Sequence, residues 1–177
     1  MSEALMVAMA EVKVCRSSQD ILIAMGLGSC VGICAYDARV GVAGLAHVVL
    51  PSSGAMATSL NTPGKYADTA VTLLLDEMRR QGAALDQIVF ALAGGAQLFS
   101  GNGIGRGLDV GPRNAQAVQV EIDRLCLRVA ATDLGGNAGR TIHFQGSGVV
   151  RVKTIGRGEY PLIDFRQIDT RQTEGKS

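Results

Sequence analysis

Gly26-Leu27-Gly28-Ser29-Cys30-Val31-Gly32-Ile33-Cys34 (residues 26–34) reads as a tight turn that opens into a strand. Ile21-Leu22-Ile23-Ala24-Met25, β-branched at its start, is the strand that enters the turn, and Cys30 to Tyr36 is the strand that leaves it. Asp37-Ala38-Arg39-Val40-Gly41 has turn composition, and Val42 to Leu50, stopped by Pro51, is a third strand. The second and third strands are predicted to pair as an antiparallel hairpin. A two-residue turn at Ala38-Arg39 sets Cys30 directly opposite His47, and a four-residue turn over Ala38 to Gly41 makes them diagonal neighbours. Both registers keep the two on one face, at roughly 5–8 Å between Cβ atoms. A slip of one residue separates them to opposite faces.

Outward from this hairpin, Ala10 to Cys15 alternates weakly and is read as an early strand. Residues 52–62 are small and polar, which predicts a loop. A helix is expected from Thr62 as N-cap and Pro63 at the first helical position. Ala67, Ala70, Val71, Leu74, Leu75 and Met78 form its apolar stripe, and Gly82 ends it. Gln87 to Ala93 is a strand that runs into Gly94-Gly95-Ala96, followed by a glycine-rich loop over Gly101 to Gly111. A second helix is expected from about Pro112 to Leu125, with Ala115, Val118, Ile122 and Leu125 as its apolar positions. Leu127 to Ala131 is a strand, Gly135 to Gly139 a turn, and Thr141 to Phe144 with Val149 to Thr154 a final hairpin. Many short strands and two helices predict an α+β fold: a layered α/β sandwich of mostly antiparallel strands, with both helices packed on one side. Residues 1–165 are read as one domain and 166–177 as a polar, frayed tail.

Composition removes several function classes. The 177 residues carry 17 Lys and Arg against 16 Asp and Glu, a net charge of +1, so no basic surface for nucleic acid is expected. Seven aromatic residues and no Trp leave little to stack bases on. The uncharged run Ile21 to Tyr36 is 16 residues and broken by glycine, short of the ~20 that a membrane helix needs. Residues 1–15 carry no basic leader. These features predict a cytoplasmic protein with reduced thiols and no membrane insertion. The 23 glycines exceed the usual share of about 7% and fall in clusters, as tight turns between short strands require.

Cys30 with His47 is the pair that can carry chemistry. A free thiol has a pKa near 8.5, and a neighbouring imidazole can take its proton. The backbone N–H groups of Ser29 and Cys30 are candidates for an oxyanion hole. Small buried core residues are the competing reading of Cys30 and Cys34. Four positions apart on a strand, the two cysteines are about 13 Å apart and cannot form a disulfide. No metal site is expected from Cys30, Cys34, Cys126, His47 and His143, because nothing has clamp spacing. Gly26-Leu27-Gly28 lacks a third glycine at Val31, and Gly101 to Gly107 lacks a following Lys-Ser/Thr, so neither reads as a phosphate cradle. His143 is read as a satisfied structural histidine. Arg113 and Asn114 are read as a cap and surface pair or as part of a docking surface.

The blocks Gly26-Leu27-Gly28-Ser29-Cys30-Val31, His47, Leu50-Pro51 and Lys65-Tyr66-Ala67-Asp68 resemble the CheD family of chemoreceptor glutamine deamidases. Gly94-Gly95-Ala96, Gly111-Pro112-Arg113-Asn114, Asp133-Leu134-Gly135-Gly136 and Gly139-Arg140 extend the resemblance, in family order, over roughly residues 8 to 155. The resemblance implies a cytoplasmic chemotaxis enzyme that hydrolyses glutamine side chains on the cytoplasmic helices of chemoreceptors to glutamate and ammonia, without a cofactor. In some members methylester hydrolysis is also linked to the family. The resemblance implies a CheC-type phosphatase as a second partner and a layered sandwich related to deamidating toxin domains. It assigns Cys30 as nucleophile and His47 as acid and base. It also implies an orienting Thr six positions before the nucleophile, where this chain has Ala24. Two other readings stand beside it: a non-catalytic module docking to receptor or phosphatase, which Ala24 favours, and another cysteine hydrolase or thiol-redox protein.

Overall fold

The computed structural model of the chain describes residues 1–54, 61–98 and 109–168. Its strands are β1 (Ala4–Met6), β2 (Val12–Cys15), β3 (Ile21–Leu27), β4 (Val31–Asp37), β5 (Val42–Val48), β6 (Ile88–Gly94), β7 (Arg128–Leu134), β8 (Arg140–Gln145), β9 (Val149–Thr154) and β10 (Gly158–Asp164). Its helices are α1 (Ala67–Arg80) and α2 (Val110–Arg124). The strands form two five-stranded sheets, ordered β1-β3-β8-β9-β10 and β2-β5-β4-β6-β7. Pairing is antiparallel except β1 with β3 and β6 with β7. The predicted α+β sandwich is the observed architecture.

β4 and β5 are buried along their whole length because their sheet is covered on both faces. Their side chains alternate between two apolar layers. Cys34, Tyr36 and Leu45 pack with Leu22, Ile142 and Phe144 of the first sheet. Val31, Ile33 and Ala46 pack on the other face with Val71, Leu74 and Val118 of the helices. Both helices therefore lie on one side, as expected, and the layer between the sheets is the one that Cys30 and His47 enter.

The stripe expected for α1 (Ala67, Ala70, Val71, Leu74, Leu75 and Met78) is buried throughout, and Gly82 follows its end at φ +96°. Its start differs from expectation. Thr62 makes no capping bond, Pro63–Lys65 is a single 3-10 turn, and α1 begins behind Tyr66. The cause is the chain beyond β5. Val49 and Leu50 take Lys65 O as acceptor, and the Ala67 N–H donates to Leu50 O. Tyr66 is thereby held extended at φ −113°, ψ 141°, and no helix can run through it.

Two strands carry no signal in the sequence pattern. β1 is three residues long and mostly exposed. β10 contains Pro161, tolerated because β10 is an edge strand whose pairing to β9 slips between Pro161 and Ile163. Phe165–Gln167 is a 3-10 turn, and Phe165 packs at 5.7 Å from the rings of Tyr36 and Phe144. Residues 55–60 of the expected loop, 101–108 of the glycine-rich loop and 169–177 lie outside the described residues.

Candidate active site

The β4–β5 turn spans four residues, closed by the Gly41 N–H to Asp37 O at 2.9 Å. It sets His47 opposite Gly32 and makes Cys30 its diagonal neighbour, the wider of the two expected registers. Both residues face the layer between the sheets, Cys30 6% exposed and His47 1%. The missing side chain at Gly32 matters here. A Cβ at that position lies 2.3 Å from Ile142 Cδ1, so glycine lets the first sheet close over the site.

His47 is held by the N-terminal segment that leaves the first sheet after β1 and joins the second at β2. The Ala10 N–H donates to His47 O and the His47 N–H to Glu11 O, both at 3.0 Å. His47 Nδ1 lies 3.1 Å from Val7 O. A carbonyl oxygen only accepts, so Nδ1 carries the ring proton and Nε2 presents a bare lone pair. Nε2 is buried without a hydrogen-bond partner among the described residues. Ala24 is also fully buried and faces this same layer, so position 24 offers the imidazole no hydrogen bond. The Val7 carbonyl fills that role. Residue-type patterns cannot find it, since it is a backbone group and is reached only through the path of residues 7–11.

The turn carrying Cys30 is pinned along its carbonyls. Gly28 O accepts from the Ala96 N–H and Cys30 O from the Gly95 N–H, both at 2.8 Å, and Ser29 O accepts from Asn114 Nδ2 at 2.9 Å. The amides of Ser29 and Cys30 donate to nothing among the described residues, as an oxyanion hole requires. Gly94 makes the approach possible. Its φ is +122°, and a Cβ there lies 2.2 Å from Cys30 O. Gly94→Ala is expected to cost about 3 kcal/mol and lower Tm by roughly 6–12 °C, measured by thermal unfolding.

Burial pushes the Cys30 thiol up from 9.0 and the His47 imidazole down from 6.5, the latter against the opposing pull of Val7 O. Both directions favour the neutral forms.

The other expected residues fall elsewhere. All four cysteines are free. Cys15 and Cys34 are core residues, and burial raises both thiols, Cys15 to about 11. His143 lies half-buried on the outer face of the first sheet, with Nδ1 3.0 Å from Glu159 Oε1. Arg113 is exposed, but Asn114 is not the surface residue expected: it is fully buried and bonds Ser29 O and Val49 O. Its position was readable, since it lies four residues before Val118 and eight before Ile122 on the buried stripe of α2. No helix among the described residues is long and apolar enough to cross a membrane.

The family model described as CheD chemotactic sensory transduction matches residues 49–154. The probable chemoreceptor glutamine deamidase CheD of Desulfitobacterium hafniense (strain DSM 10664 / DCB-2) is 44% identical over 160 residues, covering 90% of this chain and 98% of that protein. The probable chemoreceptor glutamine deamidase CheD of Symbiobacterium thermophilum is 40% identical over 157 residues, 88% of this chain and 95% of that protein. The chemoreceptor glutamine deamidase CheD of Thermotoga maritima is 36% identical over 140 residues, 78% and 85% of the two chains. With the family match spanning more than half its length, and relatives of this identity covering most of it, the chain belongs to the CheD family.

Proposed function

We propose that this chain deamidates glutamine side chains on the cytoplasmic helices of chemoreceptors, with Cys30 as nucleophile and His47 as acid and base. The observation that carries the reading is a buried imidazole with one tautomer enforced, its bare Nε2 on the same face as the thiol. His47 Nε2 takes the Cys30 proton as Sγ attacks the carboxamide carbon. The oxyanion of the tetrahedral intermediate is met by the Ser29 and Cys30 amides. Collapse breaks the C–N bond, and His47 returns the proton to the departing ammonia. Water, deprotonated by His47, then attacks the thioester, releasing glutamate and restoring the thiol. The thiol and Nε2 are not hydrogen-bonded in the unliganded chain, and such contacts commonly tighten only with substrate in place. Ala24, the feature that favours a docking module, is offset by the Val7 carbonyl. A CheC-type phosphatase is the further partner that family membership suggests.

The test is mass spectrometry of a receptor cytoplasmic fragment incubated with the chain or with Cys30→Ala. The expected outcome is conversion of specific glutamines to glutamate by the parent alone. Equal spectra from the two proteins sink the proposal.

A further inference from the structure

We infer that Asn114 is a positioning residue that builds the oxyanion hole by fixing the orientation of the Ser29–Cys30 peptide. The inference rests on the reading of Cys30 as nucleophile. In a trans peptide the carbonyl and the N–H point in opposite directions, and no peptide bond among the described residues is cis. Ser29 O is drawn toward α2 by Asn114 Nδ2 at 2.9 Å, so the Cys30 N–H of that same peptide is turned away from α2. The Gly28–Ser29 peptide is set in the same manner by the Ala96 N–H on Gly28 O, which directs the Ser29 N–H. Neither amide donates to any described residue, which leaves both free to meet an oxyanion.

Asparagine suits this task because one neutral nitrogen carries two hydrogens. The second goes to Val49 O at 2.8 Å, two residues past His47. A single NH2 group thus ties the peptide before the nucleophile to the chain just beyond the base. A lysine would bring a charge into a site that is fully buried, and a hydroxyl has one hydrogen for two carbonyls. Asn114 Oδ1 is left buried and without a partner among the described residues, a cost accepted for the sake of the two donated bonds.

The test compares two reactions of the same thiol. Deamidation of a receptor cytoplasmic fragment passes through an oxyanion; alkylation of Cys30 by iodoacetamide does not. Asn114→Ala is expected to lower kcat for deamidation ~10²–10³-fold. KM and the alkylation rate should stay within about threefold of the parent, because the lost interaction is made only in the transition state. Alkylation falling in step with kcat overturns the inference, since Asn114 then supports the dyad or the fold. An unchanged kcat overturns it as well. Should Asn114→Ala not fold by circular dichroism, Asn114→Leu carries the same comparison, filling nearly the same space without a donor or a charge. Failure of the underlying reading is distinct: there the parent itself is no faster than Cys30→Ala, and the inference falls with it.

Discussion

His47→Gln is expected to deamidate receptor glutamines about 10⁴-fold more slowly than the parent, the upper end of what positioned acid–base catalysis contributes. The effect is large because one group serves four proton transfers, the last returning the proton to the departing thiolate, and nothing among the described residues replaces it. Nε2 has no hydrogen-bond partner among the described residues with which to share the proton, and burial favours the neutral thiol. The pH profile follows from the same burial. The base works only when neutral, and its pKa is depressed, so the acid limb of kcat/KM is expected below pH 6.5. The alkaline limb belongs to the thiol, raised above 9.0. A broad plateau between the two is the expected profile. A limb near pH 8, or thiolate absorbance at neutral pH that depends on His47, contradicts a neutral resting pair.

The same shift bears on stability. Between the depressed folded pKa and 6.5 the unfolded chain binds the proton that the folded chain refuses. The contribution of His47 is present above pH 6.5 and is lost as pH falls through that window. Chemical denaturation of the parent is therefore expected to show stability falling with acidity there, and His47→Gln to remove that part of the slope.

What was legible in the sequence divides along physical lines. The α1 stripe and the β4–β5 hairpin were readable because side-chain periodicity records which face is buried. The register came down to one turn length, and the four-residue turn chosen by Ala38 to Gly41 is the one observed. Backbone groups write no such record. Val7 O, the acceptor for His47, lies in a stretch without alternation, and β1 beside it is too short for a pattern. Asn114 was misplaced for the opposite reason. A polar residue near a helix start is usually a cap, and only its spacing to Val118 and Ile122 says that it points inward. The start of α1 was misjudged because long-range pairing of Leu50 with Tyr66 overrode a sound local capping signal.

A chain that begins at Ala8, lacking Val7 and β1, is expected to lose on the order of 10²–10⁴ in kcat, with the top of that range set by what a wrong imidazole tautomer costs other triads. Truncation leaves the Ala10 and Glu11 bonds to the His47 backbone and removes the acceptor on Nδ1 together with the β1–β3 pairing, so the ring is present but unoriented. Nitrogen-15 spectra are the direct check: the parent should show Nδ1 protonated and Nε2 bare, and the truncated chain a mixture. Val7 is 1% exposed, and its loss also costs about 1.5–3 kcal/mol of burial, so rates are compared below the lowered Tm. Ala24→Thr separates orientation from stability. In the full chain Nδ1 is already engaged, and a larger side chain at a fully buried position costs about 1–3 kcal/mol, so little gain in rate is expected. In the truncated chain the new hydroxyl faces the same layer as His47 and can supply the missing acceptor. Recovery of rate by Ala24→Thr in the truncated chain alone identifies the Val7 carbonyl as the group that stands in for a threonine. A truncated chain that keeps its full rate shows that the imidazole needs no such partner.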